Sequence, residues 1–228
     1  GIKMSKSKGN VVSPDDLVRD YGCDSLRLYE LFVGPPELDA EWDDRGIEGV
    51  SRFLNRFWNL VMDSKDKDVK ETKEMIKLRH KLVYDIEQRF NQFSLNTVIS
   101  GFMEYNNKLM DLSKKEGGID KETLKTFVIL LAPFAPHIGE ELWERLGNTG
   151  SVFENNKWPE ADEELMKDDE IQVPVQINGK TKVVISVPAD ISKDDAIAQG
   201  KEALGDKLTG NIIKEIYVPG RIINIVAK

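Results

Sequence analysis

The stretch IEGVSRFLNRFWNLV, residues 47–61, decides the fold class of this chain. Its apolar residues recur at steps of three and four, which is the period of one face of an α-helix. They are Ile47, Val50, Leu54, Phe57, Trp58 and Val61. The stretch therefore predicts an amphipathic helix. Because one such helix cannot bury its apolar face alone, partner helices are expected.

Three further stretches have the same period, around residues 75–90, 95–109 and 124–146. Charged or glycine-containing segments at 63–70 and 115–120 separate them. Pro133 and Pro136 are expected to bend the last helix without ending its apolar face. Together the four stretches predict an antiparallel helical bundle over residues 46–146.

The apolar period changes from 3.6 to 2 after an acidic stretch at 147–169, which we interpret as a linker. Residues 170–228 then predict strands near 171–177, 183–187, 214–218 and 222–227, with a helix over 193–204 capped by Ser192. A three-residue loop at 178–180 would pair Val175 with Val183, whereas a two-residue loop would pair it with Lys182. We favour the former, with Pro174 on an edge strand. The predicted fold class is multidomain, α and α+β: a helical bundle followed by a small α+β domain.

Composition excludes several classes of protein. The single cysteine, Cys23, excludes an internal disulfide and a multi-cysteine zinc site, and no metal site is predicted. No apolar run is long enough for a membrane helix and no signal peptide is visible, so a cytoplasmic protein without membrane contact is expected. The net charge of −8 is uneven, because residues 170–228 hold eight Lys or Arg and seven Asp or Glu. Basic patches therefore remain possible.

The segment KMSKSKGN, residues 3–10, contains three lysines, two serines and a glycine, and no acid. Ammonium groups, hydroxyls and backbone N–H donors on a loop suit a polyphosphate ligand. The alternative interpretation from composition is a solvated basic tail. We call residues 3–10 the lysine loop.

The order of residues in the lysine loop resembles the second signature of class I aminoacyl-tRNA synthetases. The continuations VVSPD at 11–15 and YGCDSLRLY at 21–29 resemble the Leu, Ile, Val and Met enzymes. The stretches VQINGK at 175–180 and YVPGRIINIV at 217–226 are similar to those of leucyl-tRNA synthetases of the bacterial type. The resemblance covers essentially the whole chain in order.

This resemblance implies that the lysine loop closes over ATP while leucine is activated with ATP and Mg²⁺. Lys6 would be the catalytic lysine, which stabilises charge that develops on the pyrophosphate, and Lys3, Met4, Ser5 and Ser7 would complete the ATP-binding loop. In that family the nucleotide-binding fold lies upstream of this loop. We therefore expect a C-terminal fragment of a longer enzyme that is inactive by itself, with no cofactor bound and a mobile loop.

The resemblance also divides the chain by role. Residues 1–45 would be the lysine loop and a stem-contact segment, 46–146 an anticodon-binding-type bundle, 147–169 a linker and 170–228 a tRNA-binding domain. The partner implied is tRNA(Leu), with ATP and leucine in the intact enzyme. The candidates for contact with tRNA, through phosphate and hydroxyl groups, are Arg52, Arg56, Lys180, Arg221 and Asn224. The alternative for the two arginines is that they form surface ion pairs beside a core Trp58.

Three other residues receive structural interpretations. His137 begins the sequence HIGE at 137–140, which imitates the His-Ile-Gly-His signature that lies upstream in that family; it is expected to make local hydrogen bonds in the bundle. His80 is expected to be solvated. Arg27 is expected to pair with Asp24 or a neighbouring acid.

We expect the chain to be a monomer, with self-association through the surface that truncation would expose. Leu38, Trp42 and parts of the helix 24–32 would form that surface.

Two alternatives to the leucyl interpretation stay open. One is a fragment of the related isoleucyl, valyl or methionyl enzymes. One cysteine disfavours the cysteine-rich zinc module common at the end of the isoleucyl type, and the strand period disfavours the coiled coil common in the valyl type. The other alternative is a non-catalytic RNA-binding or protein-interaction module that keeps this architecture.

Overall fold

In a computed structural model the chain forms two compact units, which meet in sequence between Met166 and Lys167. The structure describes residues 2–154 and 156–228. Gly1 and Asn155, which belong to the predicted segments 1–45 and 147–169, lie outside the described residues. We refer to the two parts as unit 1 and unit 2.

Unit 1 is helical, as the periodicity predicts. Its described helices are α1 Pro14–Tyr21, α2 Cys23–Phe32, α3 Asp44–Ser64, α4 Lys73–Asn91, α5 Leu95–Glu116, α6 Lys121–Leu131 and α7 Pro136–Arg145. Side-chain caps fix several of the helix starts. Thr72 Oγ1 accepts from Met75 N at 3.3 Å, and Asp120 Oδ1 accepts from Thr123 N at 2.9 Å. The predicted bundle is confirmed.

Aromatic residues from different helices form the centre of unit 1. Phe57 of α3 stacks on Phe127 of α6 with ring centroids 4.2 Å apart. Phe102 of α5 lies 5.4 Å from Phe127 and 5.7 Å from Phe134. The core therefore joins α3, α5 and α6 with the segment that leads into α7.

The predicted fourth long helix is wrong, because it is two helices. Residues 132–135, here called the elbow, separate α6 from α7. Ala135 precedes Pro136 and has φ −132° and ψ 73°, outside the helical region, since the proline ring crowds a helical residue before it. Pro136 then occupies the first turn of α7, where its missing N–H costs nothing. The prolines therefore end one helix and begin another.

Unit 2 is a four-stranded sheet with one helix. Its strands are β1 Glu170–Ile177, β2 Lys180–Pro188, β3 Ile212–Val218 and β4 Ile222–Ala227, and its helix is α8 Lys193–Leu204. The strand order is β2-β1-β4-β3, with β1 and β4 parallel and the other pairs antiparallel. Helix α8 packs closely on one face, since a Cβ at Gly200 would lie 3.2 Å from Ile223. Ser192 caps α8 as predicted, with its hydroxyl accepting from Asp195 N at 3.1 Å.

The hairpin between β1 and β2 has one feature of each of the two loops that were considered from the sequence. Val175 pairs with Val183, as predicted, yet Ile177 pairs with Lys180, so the turn itself has only two residues. A bulge at Lys182 absorbs the extra residue. The three-residue loop was therefore wrong, although the register that it was meant to produce is correct.

The prediction that Pro174 lies on an edge strand is wrong. Strand β1 is the second strand of the sheet, between β2 and β4. The ladder with β4 begins only at Val175, so the proline pairs with Val184 on one side and has no ladder partner on the other. A missing backbone N–H is therefore tolerated at this position.

Most of the segment predicted as a linker belongs to unit 1 and packs on its helices. Val152 is buried, and its N–H donates to Glu140 Oε2 of α7 at 2.9 Å. A 3₁₀ turn at Glu164–Met166 lies against α4. Within the described residues, no helix has the length and apolarity needed to cross a lipid bilayer.

Candidate functional site

The lysine loop forms a compact turn that is closed by a side chain at its end. Asn10 Oδ1 accepts from Ser5 N at 2.9 Å, and Asn10 Nδ2 donates to the Lys3 carbonyl at 3.4 Å. Between them Lys6–Lys8 forms a 3₁₀ turn, which ends at Gly9 with φ 65°. Asn10 therefore brings the two ends of the loop together, a role that the sequence interpretation did not give it.

Cationic and hydroxyl groups of this turn face solvent. Lys3, Lys6 and Lys8 are exposed, and the hydroxyls of Ser5 and Ser7 lie 3.2 Å apart. Such a set of ammonium groups and hydroxyl donors can neutralise and hydrogen-bond a phosphate chain. The exposed Met4 belongs to the same turn and offers an apolar contact.

Helices α1 and α2 connect the lysine loop to the bundle. Val12 and Leu17 pack on the core of unit 1, and Leu28 and Tyr29 of α2 are buried in it. Gly22, with φ 85°, makes the tight link between the two helices, and its N–H donates to the Val18 carbonyl at 2.9 Å. The segment that leads from the loop is thus part of the folded core.

Two charged residues of α2 bind the elbow and the first turn of α7 that follows it. Asp24 Oδ2 accepts from Ile138 N at 2.7 Å, and its Oδ1 lies 2.8 Å from His137 Nδ1. Arg27 donates to the carbonyls of Phe134 and Pro133, both at 3.2 Å. The predicted pairing of Arg27 with an acid is therefore wrong, as is the prediction of local hydrogen bonds for His137. Sequence period could not reveal these contacts because the partners lie more than one hundred positions apart.

His80 is also better connected than predicted. Its Nδ1 accepts from Asp162 N at 3.0 Å, which requires the neutral ring. Partial burial and the neighbouring Arg79 guanidinium lower the pKa of His80 below its ordinary value. The solvated interpretation is wrong, and this histidine instead holds the end of unit 1 on α4.

The two candidate arginines lie together on α3. Arg52 and Arg56 are separated by one helical turn, and both side chains are exposed. Trp58, beside them, is half-buried against the core. The two guanidinium groups thus form a cationic pair on the outer face of the bundle, a geometry that suits a phosphate backbone.

The candidate residues of unit 2 do not form a single cluster. Lys180 follows the β1–β2 turn, and Asn224 Oδ1 accepts from Gly179 N at 3.1 Å in that turn. Arg221 lies at the β3–β4 turn, which is at the other end of β4 because β1 and β4 are parallel. The topology brings Asn224 close to the turn that carries Lys180 and places Arg221 elsewhere on the sheet.

Comparison with known protein families identifies the kind of module. Residues 72–197, more than half of the chain, match the family described as the anticodon-binding domain of tRNA ligase. This chain belongs to that anticodon-binding family. Residues 1–43, which contain the lysine loop, α1 and α2, match the family described as class I tRNA synthetases for I, L, M and V.

Relatives of this chain include leucine–tRNA ligases. That of Fervidobacterium nodosum is 43% identical over 245 residues, covering 100% of the chain and 30% of the relative. That of Chlorobaculum parvum is 42% identical, covering 99% and 28%. Among solved structures, the LeuRS–tRNA–LeuAMS ternary complex of Agrobacterium radiobacter K84 matches with a TM-score of 0.80 and 30% identity, over 100% of this chain and 32% of that one. The chain thus spans about a third of the length of these relatives.

Asn178 is a further residue whose role the sequence interpretation missed. It adopts φ 50°, its Nδ2 donates to the Ala227 carbonyl at 2.9 Å, and its Oδ1 accepts from Ala227 N at 3.0 Å. Together with Asn224 it fastens the β1–β2 turn to β4. The Asn-Gly pair signalled a turn, but the contact with β4 depends on a strand that comes almost fifty residues later.

Proposed function

We propose that this chain is the tRNA-binding part of a leucine–tRNA ligase. The longer protein would activate leucine with ATP and Mg²⁺ and transfer it to tRNA(Leu). The supporting observation is the similarity to leucine–tRNA ligases at about 40% identity along the entire chain, from the lysine loop to β4. The likeness to a synthetase bound to tRNA favours the same partner.

In this proposal the lysine loop acts on the phosphates of ATP. Lys6 is the catalytic residue: its ammonium group stabilises negative charge that grows on the leaving pyrophosphate, so it lowers the barrier more than it strengthens binding. Lys3, Ser5 and Ser7 donate further hydrogen bonds, and Met4 completes the loop. Because residues 3–10 contain no acid, this loop fits a phosphate chain and leaves Mg²⁺ to other groups.

The bundle and the sheet would hold tRNA by its backbone. Arg52 and Arg56 present two adjacent guanidinium groups to phosphates, while Lys180 and Arg221 reach separate points of the RNA surface. Recognition of folded RNA by shape needs such dispersed phosphate and hydroxyl contacts. Asn224, whose side-chain oxygen supports the turn, would act mainly by presenting Lys180.

Salt-dependent binding tests the tRNA-binding function. Affinity of this chain for a tRNA(Leu) transcript is measured over a range of salt concentrations and compared with that for an unrelated tRNA. Arg52→Glu and Arg56→Glu should weaken binding and each reduce the salt slope by about 1. Arg145→Glu, which changes an exposed arginine that is ion-paired with Glu141, should have a smaller effect. Equal effects from all three variants would refute the assignment of the α3 face.

Deletion of residues 170–228 tests the role of unit 2. The shortened chain should bind tRNA(Leu) more weakly than the full chain, since it loses Lys180 and Arg221. Unchanged affinity would show that unit 2 takes no part.

Leucine-dependent exchange of pyrophosphate into ATP tests the activity in a chain extended upstream. Lys6→Ala should lower the exchange rate by roughly a hundredfold or more, the usual loss for a transition-state donor, with a small effect on the KM for ATP. Lys8→Ala removes another ammonium group of the same loop and should lower the rate much less than Lys6→Ala. Faster exchange with isoleucine or valine would favour a related synthetase. No exchange, with tRNA binding retained, would favour a non-catalytic RNA-binding module.

We also propose a cytoplasmic, monomeric protein with some tendency to self-associate. Leu38 remains 64% exposed, which leaves an apolar contact on the surface. Trp42 is largely used internally, since its ring lies 4.9 Å from that of Tyr29 and its Nε1 donates to Asp44. Sedimentation velocity at increasing concentration should show reversible association that Leu38→Lys reduces.

A further inference from the structure

Helix α7 begins without a cap of its own. The residue before its first turn is Ala135, whose side chain cannot accept a hydrogen bond, so the N–H groups of the first turn need another acceptor. Asp24 supplies it from α2, through Ile138 N at 2.7 Å and His137 N at 3.4 Å. The carboxylate is only 8% exposed, and it also faces the positive end of the α7 dipole.

The same turn of α2 also supplies hydrogen-bond donors to carbonyl groups of the elbow. Arg27 lies three residues after Asp24 and so faces the same side of α2. Its Nε and Nη2 donate to the carbonyls of Phe134 and Pro133, which the break between α6 and α7 leaves without helical partners. The carboxylate of Asp24 therefore accepts from the N–H groups that lack helical partners, and the guanidinium of Arg27 donates to the carbonyls that lack them.

This arrangement fixes where α2 lies along the elbow. A shift of α2 by one residue would move it by about 1.5 Å and turn it by about 100°, which would take both side chains away from their partners and leave buried polar groups unpaired. Apolar packing alone tolerates small slides, whereas a pair of oppositely charged hydrogen-bonding groups has one favourable register. Because α2 is linked through Gly22 to α1, and α1 to the lysine loop, the position of that loop depends on the same contacts.

We propose that Asp24 and Arg27 are positioning residues that set the location of the lysine loop relative to the bundle. This proposal rests on the proposed function, because the loop would act on ATP and the bundle would hold tRNA. The contacts of Asp24 and Arg27 would then keep the lysine loop, which acts on ATP, at a defined distance from the bundle, which holds tRNA. Neither residue touches a phosphate in this role; both act through α2 and α1.

Pulsed electron spin resonance on this chain tests the proposal. In a Cys23→Ser background, spin labels are attached at Val11→Cys, at the base of the loop, and at Gln88→Cys on α4; both positions are exposed. Asp24→Ala and Arg27→Ala should each broaden the distribution of label distances by ~twofold, since α2 gains freedom on the elbow. Asp24→Asn, which keeps an acceptor of the same size, should broaden it less.

Glu30→Ala is the matched control, because Glu30 is an exposed acid on the same helix. A folded Asp24→Ala protein whose distribution is no broader than that of the Glu30→Ala protein overturns the proposal, even if its melting temperature falls. If Asp24→Ala does not fold, the label distances of Asp24→Asn and Arg27→Lys are compared with those of Glu30→Ala in the same way. Binding of tRNA(Leu) by the unaltered chain is measured separately, so that loss of the proposed function and loss of this proposal give different results.

Discussion

Gly139 predicts an unusual result for an alanine substitution in a helix. This residue lies in the interior of α7, where alanine normally stabilises a helix relative to glycine by about 1 kcal/mol. A Cβ at this position would lie 2.8 Å from Ala132 Cβ and 2.9 Å from Ala132 Cα. The second neighbour belongs to the backbone, so no side-chain rotation can relieve the overlap.

The expected net effect of Gly139→Ala is a destabilisation of up to about 2 kcal/mol, because the overpacking cost of typically 1–3 kcal/mol offsets and exceeds the gain of about 1 kcal/mol in helix propensity. Gly49→Ala is the matched control, since its added Cβ would meet only Arg52 Nη2, at 4.0 Å, within α3. That variant should be more stable than the original chain by up to about 1 kcal/mol. The two substitutions are chemically identical and should have opposite signs.

Urea unfolding followed by tryptophan fluorescence measures both variants. All four tryptophans lie before residue 167, so the signal reports on unit 1. Midpoints should move in opposite directions, and melting temperatures should differ by about 2–4 °C for each kcal/mol. If Gly139→Ala stabilises unit 1 as much as Gly49→Ala does, the close approach of α7 to the elbow is wrong.

Three further predictions concern single contacts. His80 binds Asp162 N in its neutral form and its pKa is lowered, so its contribution to stability is present above pH ~6.5 and is lost as the pH falls below that value. In urea titrations His80→Asn should therefore reduce the loss of stability between pH 7 and 5.5. An unchanged dependence of stability on pH would contradict this. Burial and hydrogen bonding to Asp85 raise the pKa of Tyr105, so its contribution to stability is fully present below pH ~10 and is progressively lost as the pH rises above that value, a loss that Tyr105→Phe removes in alkaline melts. Asn178→Ala should cost about 1–2 kcal/mol in unit 2, measured by circular dichroism, whereas Asn178→Gly should cost less than Asn178→Ala because glycine accepts φ 50° freely.

Regular patterns in the sequence predicted much of the fold. The 3.6-residue period located the bundle helices and the two-residue period located the strands, because burial on one face forces these repeats. The prediction was wrong at the fourth helix, where the apolar pattern continues across the elbow. The local effect of Pro136 on Ala135 ended the helix although the burial pattern did not.

Contacts between distant parts of the chain could not be predicted in this way. The sequence pointed to a lysine loop and to exposed cations, since these depend on local residue types. It gave no indication that Arg27 binds the carbonyls of Pro133 and Phe134, or that Asn178 binds Ala227. A buried polar residue shows that a partner exists, but its identity depends on the tertiary fold.

The capping of α7 by Asp24 also has a consequence for the order of folding. The two groups that meet are 114 positions apart, so this contact carries a loop-closure cost that the local hydrogen bonds of α7 do not. A helix of ten residues is marginal alone, and α7 should therefore become protected from hydrogen exchange only when α2 docks. A bundle expressed from residue 46 onward would lack that acceptor, and the first turn of α7 would fray. The segment that follows the lysine loop is in this way required to complete the helical bundle.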